Sequence, residues 1–166
     1  MLEKPAHLDG MLSDVKLVET PIPHTDIRLW LIEEDFNHKV MGGEIKLPKK
    51  VYWSMCWQGG QVIARYILDN PQLVDGKTVL DFGAGSGIAG IAAKKAGADR
   101  VICVDNDPDA LEVCHKNAEL NDVEVETAGS LDGVERVDLS LISEVFYVAQ
   151  KDEVMASINA ISDGFL

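Results

Sequence analysis

The sequence predicts an α/β fold, a mostly parallel sheet with helices on both faces. Three observations predict it. From Gly59 onward, short β-branched runs alternate with stretches of helical periodicity, the pattern of successive βαβ units. The stretch VLDFGAGSGIAG, Val79 to Gly90, sets a glycine-rich loop between a strand and a helix. The next strand, RVICVD, ends on an acid, Asp105, just before the helix start Asp107-Pro108. Ligands of such sheets bind at the carboxyl ends of the strands, so the loop and the acid also place a site.

Ahead of residue 57 the chain is Pro-punctuated and β-leaning. In DIRLWLI, Ile27, Leu29 and Leu31 alternate with Arg28, Trp30 and Ile32, a strand with both faces partly covered. Met41-Gly42-Gly43-Glu44 reads as a turn, with EIKLP and KKVYW as short extended pieces beyond it. Residues 1–56 are therefore expected to form a hairpin-like N-terminal lobe, and residues 57–166 the ligand-binding α/β domain.

From Gly59 the period becomes helical, with Val62, Ile63, Tyr66 and Ile67 on one face. Asn70-Pro71 stops that helix, and Asp75-Gly76 turns the chain into the strand KTVLDF. After the glycine loop a helix runs from Gly87 to Ala96, with Gly97 closing it. RVICVD is a second buried strand, with Cys103 in its core. Asp107 caps, and Pro108 opens, a helix that puts Ala110, Leu111, Cys114 and Ala118 on one face. VEVET and VDLSLIS give a third and a fourth strand, and KDEVMASINAI a helix bearing Val154, Met155, Ile158 and Ile161. The closing GFL reads as the first residues of a fifth strand. Four strands alone would leave the fourth with an open edge, so the expectation is a domain cut short after its fourth strand and helix.

Asp and Glu number 28 against 15 Lys and Arg, a formal net charge of −13. That balance disfavours DNA or RNA, whose phosphates want basic surfaces, and is compatible with a cationic substrate such as a lysine-bearing protein. No apolar run of roughly 18 residues could span a membrane. The opening MLEKPAHLDGMLSD carries Glu3, Asp9 and Asp14, unlike a signal or a basic transit peptide. Cys56, Cys103 and Cys114 lack C-x-x-C spacing, and the four histidines lack H-x-x-x-H spacing, so neither a disulfide framework nor a metal site is expected. Reduced thiols fit a cytoplasmic protein.

The loop fits two patterns. Gly85-Ser86-Gly87-Ile88-Ala89-Gly90 matches the dinucleotide fingerprint G-x-G-x-x-G. Gly83-Ala84-Gly85-Ser86-Gly87 resembles the S-adenosylmethionine loop of class I methyltransferases. Both need close backbone approach and a helix N-terminus. Spacing does not separate them, since Asp105 lies 20 residues after Gly85 and 22 after Gly83, and either cofactor offers ribose hydroxyls to it. Asp81 does separate them. A carboxylate at the strand end repels a pyrophosphate and favours a ligand carrying an ammonium and a sulfonium. Asp81 could instead only tie down the loop through backbone N–H groups. The segment DNDPDALEVCHKNAELN, with Asn117 and Asn121 closing the helix, adds to the methyltransferase side, leaving a dehydrogenase as the minor alternative.

Two further stretches narrow the pattern: YWSMCWQGGQVIARYILDNP, Tyr52 to Pro71, and SEVFY, Ser143 to Tyr147. With PIPHTDIRLWLIEE, they make residues 20 to 160 resemble the lysine methyltransferases that modify the β-subunit of electron-transfer flavoprotein, and their bacterial relatives. The resemblance implies a Rossmann-like class I sheet of seven strands, S-adenosyl-L-methionine as cofactor with S-adenosyl-L-homocysteine as product, that β-subunit as protein partner, and di- or trimethyl-lysine as outcome. It implies that Trp57 and Gly59 line the methionine and sulfonium end. It gives Gly83, Ala84, Gly85 and Gly87 to the loop, and Asp105 to the ribose. Asn106, Ala128 and Gly129 would flank the adenine, and Ser143 and Glu144 would face the transferring methyl. Glu144 would hold the lysine cation, with Tyr147 and Phe146 as channel walls. The family usually has Asp-x-Phe-Tyr where Glu144-Val145-Phe146-Tyr147 stands, an acid where Val148 stands, and Pro or Ala at Gln58. Relatives that methylate ribosomal protein L11 share the IAAKKAGA style but carry Asn-Ile at Glu144-Val145. An L11-type or small-amine acceptor, or a cofactor-binding fragment without turnover, are the alternatives.

Overall fold

The computed structural model describes residues 17–34, 38–39, 42–44, 51–145 and 151–166, and among these, besides two short 3-10 turns, ten strands and α-helices follow one another. They are β1 (Leu17–Pro21), β2 (Arg28–Ile32), α1 (Gln58–Asp69), β3 (Thr78–Phe82), α2 (Ile88–Lys95), β4 (Arg100–Val104), α3 (Pro108–Leu120), β5 (Glu126–Ala128), β6 (Leu139–Ile142) and α4 (Lys151–Ile161). β3 pairs in parallel with β4 on one side and β6 on the other, and β5 joins β4, giving the order β5-β4-β3-β6. The strand order reverses at β3, which leaves a crevice at the carboxyl ends of β3 and β6.

The expected fifth strand is present in outline. Ser140 N–H donates to the Gly164 carbonyl at 2.8 Å, and Leu166 N–H donates back to Ser140 at 2.9 Å, in a parallel bridge. Residues 162–166 thus cover the open edge of β6.

Period-2 alternation assigns the two sheet faces. Val79, Val101, Cys103 and Leu141 turn towards Ile67 of α1, Ala89 and Ala93 of α2 and Cys114 of α3. Leu80, Ile102 and Val104 turn the other way, against Val137, Leu131, Val134 and Ile161 of α4. Each fully buried Leu or Ile here contributes about 1.5–3 kcal/mol. Among the described residues, no helix is long and apolar enough to cross a membrane.

The N-terminal hairpin differs from expectation in its partner. β2 pairs antiparallel with the preceding β1, Glu19 opposite Trp30, through a turn at residues 22–27. The turn at Gly42–Glu44 is seen, but residues 45–50, which hold most of EIKLP and the start of KKVYW, lie outside the described residues. Tyr52–Ser54 is a 3-10 turn rather than an extended piece, which buries Trp53 and leaves Tyr52 outside. Leu29 and Leu31 of β2 bury against Ile91 and Ala92 of α2 and Ala118 of α3, so the hairpin forms a layer over the helices.

Two helix faces also differ. α1 buries Gly60, Ala64 and Ile67, while Val62 is 68% and Tyr66 49% exposed. A Cβ on Gly60 would stand 2.9 Å from Ile88 Cγ2, so close packing on α2 requires the small side chains and turns the larger ones out. α3 buries Val113 in place of Leu111, because its inward stripe runs through Ala110, Val113, Asn117 and Ala118. The third strand starts later than VEVET, at Glu126, because Val123 N–H caps α3 on the Ala118 carbonyl at 3.1 Å.

Candidate functional site

The glycine loop leaves β3 as a tight fold of backbone. Gly83 and Ala84 N–H both donate to the Val104 carbonyl, at 2.8 and 3.0 Å. Gly83 has φ +71°, and a Cβ there would stand 2.2 Å from Val145 Cγ1, so only glycine lets the loop pass beneath the segment after β6. Gly87, at φ +81°, takes α2 into contact with Cys114, whose Sγ lies 2.5 Å from where a Cβ would be.

Asp105, at the end of β4, clamps this loop. Its Oδ2 accepts Gly85 N–H at 2.9 Å and its Oδ1 accepts Asp107 N–H at 3.0 Å. A carboxylate has about four lone-pair sites, so both oxygens keep capacity for a ligand's hydroxyl groups. Asp107 in turn caps α3 by accepting Asp109 N–H at 3.0 Å.

Asp81 is tied to a backbone N–H, the second of its two readings, although in helix α2 rather than in the loop itself. It lines the cleft, yet its Oδ2 accepts Gly90 N–H at 2.8 Å and anchors α2 on the sheet. Burial, reinforced by the charge of Asp105 and opposed by the Gly90 bond, pushes its pKa up to about 7. Gly90 is required there: a Cβ would meet Cys103 Sγ at 2.7 Å and Asp81 Oδ2 at 3.2 Å.

Together these strand ends open a cleft of about 1150 Å³. The loop contributes Phe82, Gly83, Ala84 and Ser86. The ends of β4 and β5 contribute Val104, Asp105, Asn106, Gly129, Ser130 and Leu131. β6 leads into Ser143, Glu144 and Val145, and the start of α1 adds Trp57 and Gly60. Glu144 has φ +53°, left-handed for a non-glycine residue, and its Oε2 accepts Gly59 N–H at 3.2 Å in the first turn of α1. Cys56, beside Glu144, is a protonated thiol: burial, with the Glu144 charge, pushes its pKa up to about 12.

Of the residues singled out from sequence, Trp57, Asp81, Gly83, Ala84, Asp105, Asn106, Gly129, Ser143 and Glu144 meet in this cleft. Gly59, Gly85, Gly87 and Ala128 are not among its lining residues: Gly59 and Gly85 donate to Glu144 and Asp105, and Ala128 packs with Leu80 and Ile102. Tyr147 and Phe146 lie outside the described residues. Sequence reasoning missed Tyr52, Ser86, Ser130, and Glu153, Val154 and Ser157 of α4. The i, i+1, i+4 spacing of the last three was the available signal for one helix face.

Among the described residues, every carboxylate or basic side chain lining the cleft is a carboxylate: Asp81, Asp105, Glu144 and Glu153. Among the described residues no lysine, arginine or histidine lines it.

A family model described as Ribosomal protein L11 methyltransferase (PrmA) matches residues 64–160. The electron transfer flavoprotein beta subunit lysine methyltransferase of Homo sapiens is 51% identical over 70 residues, 42% of this chain and 27% of that protein. The ribosomal protein L11 methyltransferase of Thermosipho africanus is 46% identical over 129 residues, 71% of this chain and 48% of that protein. The matched stretches span less than half the length of these relatives. A solved ribosomal protein L11 methylase from Lactobacillus delbrueckii subsp. bulgaricus superposes with a TM-score of 0.51 at 26% identity, covering 66% of this chain and 55% of that one.

Proposed function

Because the chain belongs to the ribosomal protein L11 methyltransferase (PrmA) family, we propose that it uses S-adenosylmethionine to N-methylate a lysine side chain of a protein, of the electron-transfer flavoprotein β-subunit type. The observation that carries this reading is the cleft at the reversal of strand order, whose charged lining among the described residues is acidic: Asp105, Glu144 and Glu153, joined by Asp81 as pH rises past about 7. A cofactor with an ammonium and a sulfonium, and a substrate with an ammonium, are the cations such a field attracts.

The residues present fit the cofactor. Asp105 has lone pairs left for two hydroxyl groups, the exposed Asn106 and the open Gly129 border a surface for a base, and Gly83 permits close approach. Bound there, the cofactor supplies a methyl group on sulfur. Glu144 captures and orients the lysine cation. It does not act as the base, because a carboxylate beside an ammonium stabilises the charged form. The proton leaves to water, helped by burial of the amine as the complex closes. Residues 57–166 serve as the cofactor-binding domain in this reading, and the N-terminal lobe braces its helices.

Labelled S-adenosylmethionine added to host extract tests the proposal. Label in the electron-transfer flavoprotein β-subunit supports it. Label in ribosomal protein L11 establishes the second reading, which the family model and the longer match to the Thermosipho africanus protein favour. Stabilisation by S-adenosylhomocysteine with no labelled protein marks binding without turnover, and stabilisation by NAD alone overturns the methyltransferase reading.

A further inference from the structure

Two aromatic rings border the cleft where α1 begins. Tyr52 and Trp57 both line it, with centroids 6.1 Å apart and planes tilted by 54°. They are not one packing stripe with Trp53, which is 2% exposed, whereas Tyr52 and Trp57 are 40% and 39% exposed. The indole is fixed in place, since Trp57 Nε1 donates to the Tyr52 carbonyl at 2.9 Å. A carboxylate stands beside this corner: Glu144 Oε2 is held by the N–H of Gly59, two residues after Trp57. Its left-handed backbone is the kind of local strain that persists where a side chain must be presented.

We propose that Tyr52 and Trp57, with Glu144, form a subsite for a methylated ammonium cation, the mono-, di- or trimethylated amine of the substrate. This rests on the methyltransferase reading and adds to it the species that the corner prefers. An unmethylated ammonium is compact, strongly hydrated and carries three N–H donors, which aromatic faces satisfy poorly. Each methyl group replaces a donor with apolar surface while the charge remains. Two tilted π faces then gain both the quadrupole attraction and apolar contact, and the carboxylate keeps the preference for a cation. Affinity therefore rises with methylation, and a partly methylated side chain is retained for another round.

The test is calorimetric titration of Nα-acetyl-Nε-trimethyl-lysine amide into the full chain saturated with S-adenosylhomocysteine. The unmethylated lysine amide and the neutral norleucine amide serve as comparisons. The trimethylated probe is expected to bind about two- to five-fold more tightly than the lysine probe. Tyr52→Leu, read at saturating S-adenosylhomocysteine, should erase the margin between the trimethylated and lysine probes, a ratio that a shared change in cofactor affinity does not move. Trp57→Phe should keep part of the margin and Trp57→Leu lose it. The proposal is overturned if the trimethylated probe binds the free chain but not the chain saturated with S-adenosylhomocysteine, because the corner then belongs to the cofactor. It is also overturned if norleucine binds equally well, or if Tyr52→Leu keeps the margin. Failure of the wild-type chain to bind S-adenosylhomocysteine would instead sink the methyltransferase reading, and the probe titrated without it would still report on the corner.

Discussion

Trp30 and Ser86 are joined through one buried side chain: Asn117 accepts the Trp30 N–H at 2.6 Å and donates to the Ser86 carbonyl at 2.8 Å. One turn along α3, Asn121 accepts Arg28 N–H at 3.0 Å and donates to the Arg28 carbonyl at 2.6 Å. Strand β2 thus finds on α3 the hydrogen bonds that a further strand would otherwise supply. Asn121 also donates to the Asn117 carbonyl at 2.7 Å, whereas Asn117 reaches the glycine loop.

That difference makes a prediction. Asn117→Leu and Asn121→Leu each leave buried or partly buried backbone groups unpaired, at up to about 1–3 kcal/mol per group, and both should lower the urea midpoint. Asn117→Leu should also weaken S-adenosylhomocysteine binding, because Ser86 lines the cleft. Asn121→Leu should leave that affinity near wild type. Equal effects of the two on binding would remove Asn117 from any role beyond stability.

Asp81 predicts a pH dependence. Its carboxyl titrates at about 7 in the folded chain against 3.8 as a free side chain, because burial disfavours the charged form. The folded state therefore binds its proton more tightly than the unfolded state. The contribution of this group to stability falls as pH rises from about 4 to about 7 and is constant above. Asp81→Asn keeps an oxygen for Gly90 N–H and removes the charge. Its stability relative to wild type, from urea unfolding at several pH values, should grow between pH 4 and pH 7. A flat difference would show that Asp81 keeps its ordinary pKa.

Gly83→Ala should destabilise by about 1–3 kcal/mol and distort the segment that presents Glu144, because the new methyl group runs into Val145 and the backbone is left-handed. Adding Val145→Ala removes the clash and leaves the backbone strain, so part of the loss in thermal stability should return. No recovery in the double variant would assign the whole effect to φ.

The sheet was legible because its signals are local. β-branched runs, Asp107-Pro108 and Gly97 each constrain their own few residues, and the cleft residues follow from where the strands end. The misreadings have one cause, in that packing partners are not written in the segment being read. Val62 and Tyr66 are the larger apolar residues of α1, but the nearness of Ile88 selects Gly60 and Ala64 for the buried face. Asn117 makes the inward stripe of α3 look polar, although it is fully buried and bonded at both its Oδ1 and its Nδ2. Glu153, Val154 and Ser157 reach the cleft only because α4 folds back beside it, which no motif announces.

Glu144 and Asp105 should separate substrate from cofactor. Asp105→Ala removes the acceptor of both Gly85 and Asp107 N–H, so it loosens the loop as well as the hydroxyl contacts. Charged hydrogen bonds contribute about 1.5–3 kcal/mol, so affinity for S-adenosylhomocysteine should drop about ten- to hundred-fold. Glu144→Gln keeps an oxygen for Gly59 N–H and so keeps the wall in place. It removes the charge that the proposed function gives to holding the amine, so on that reading kcat/KM for the lysine substrate should fall on the order of ten- to hundred-fold, with cofactor affinity changed far less. Calorimetry and turnover measured on both variants decide the matter. Equal losses of both quantities in Glu144→Gln would place this carboxylate on the cofactor, and unchanged binding in Asp105→Ala would remove the β4 acid from the ribose role.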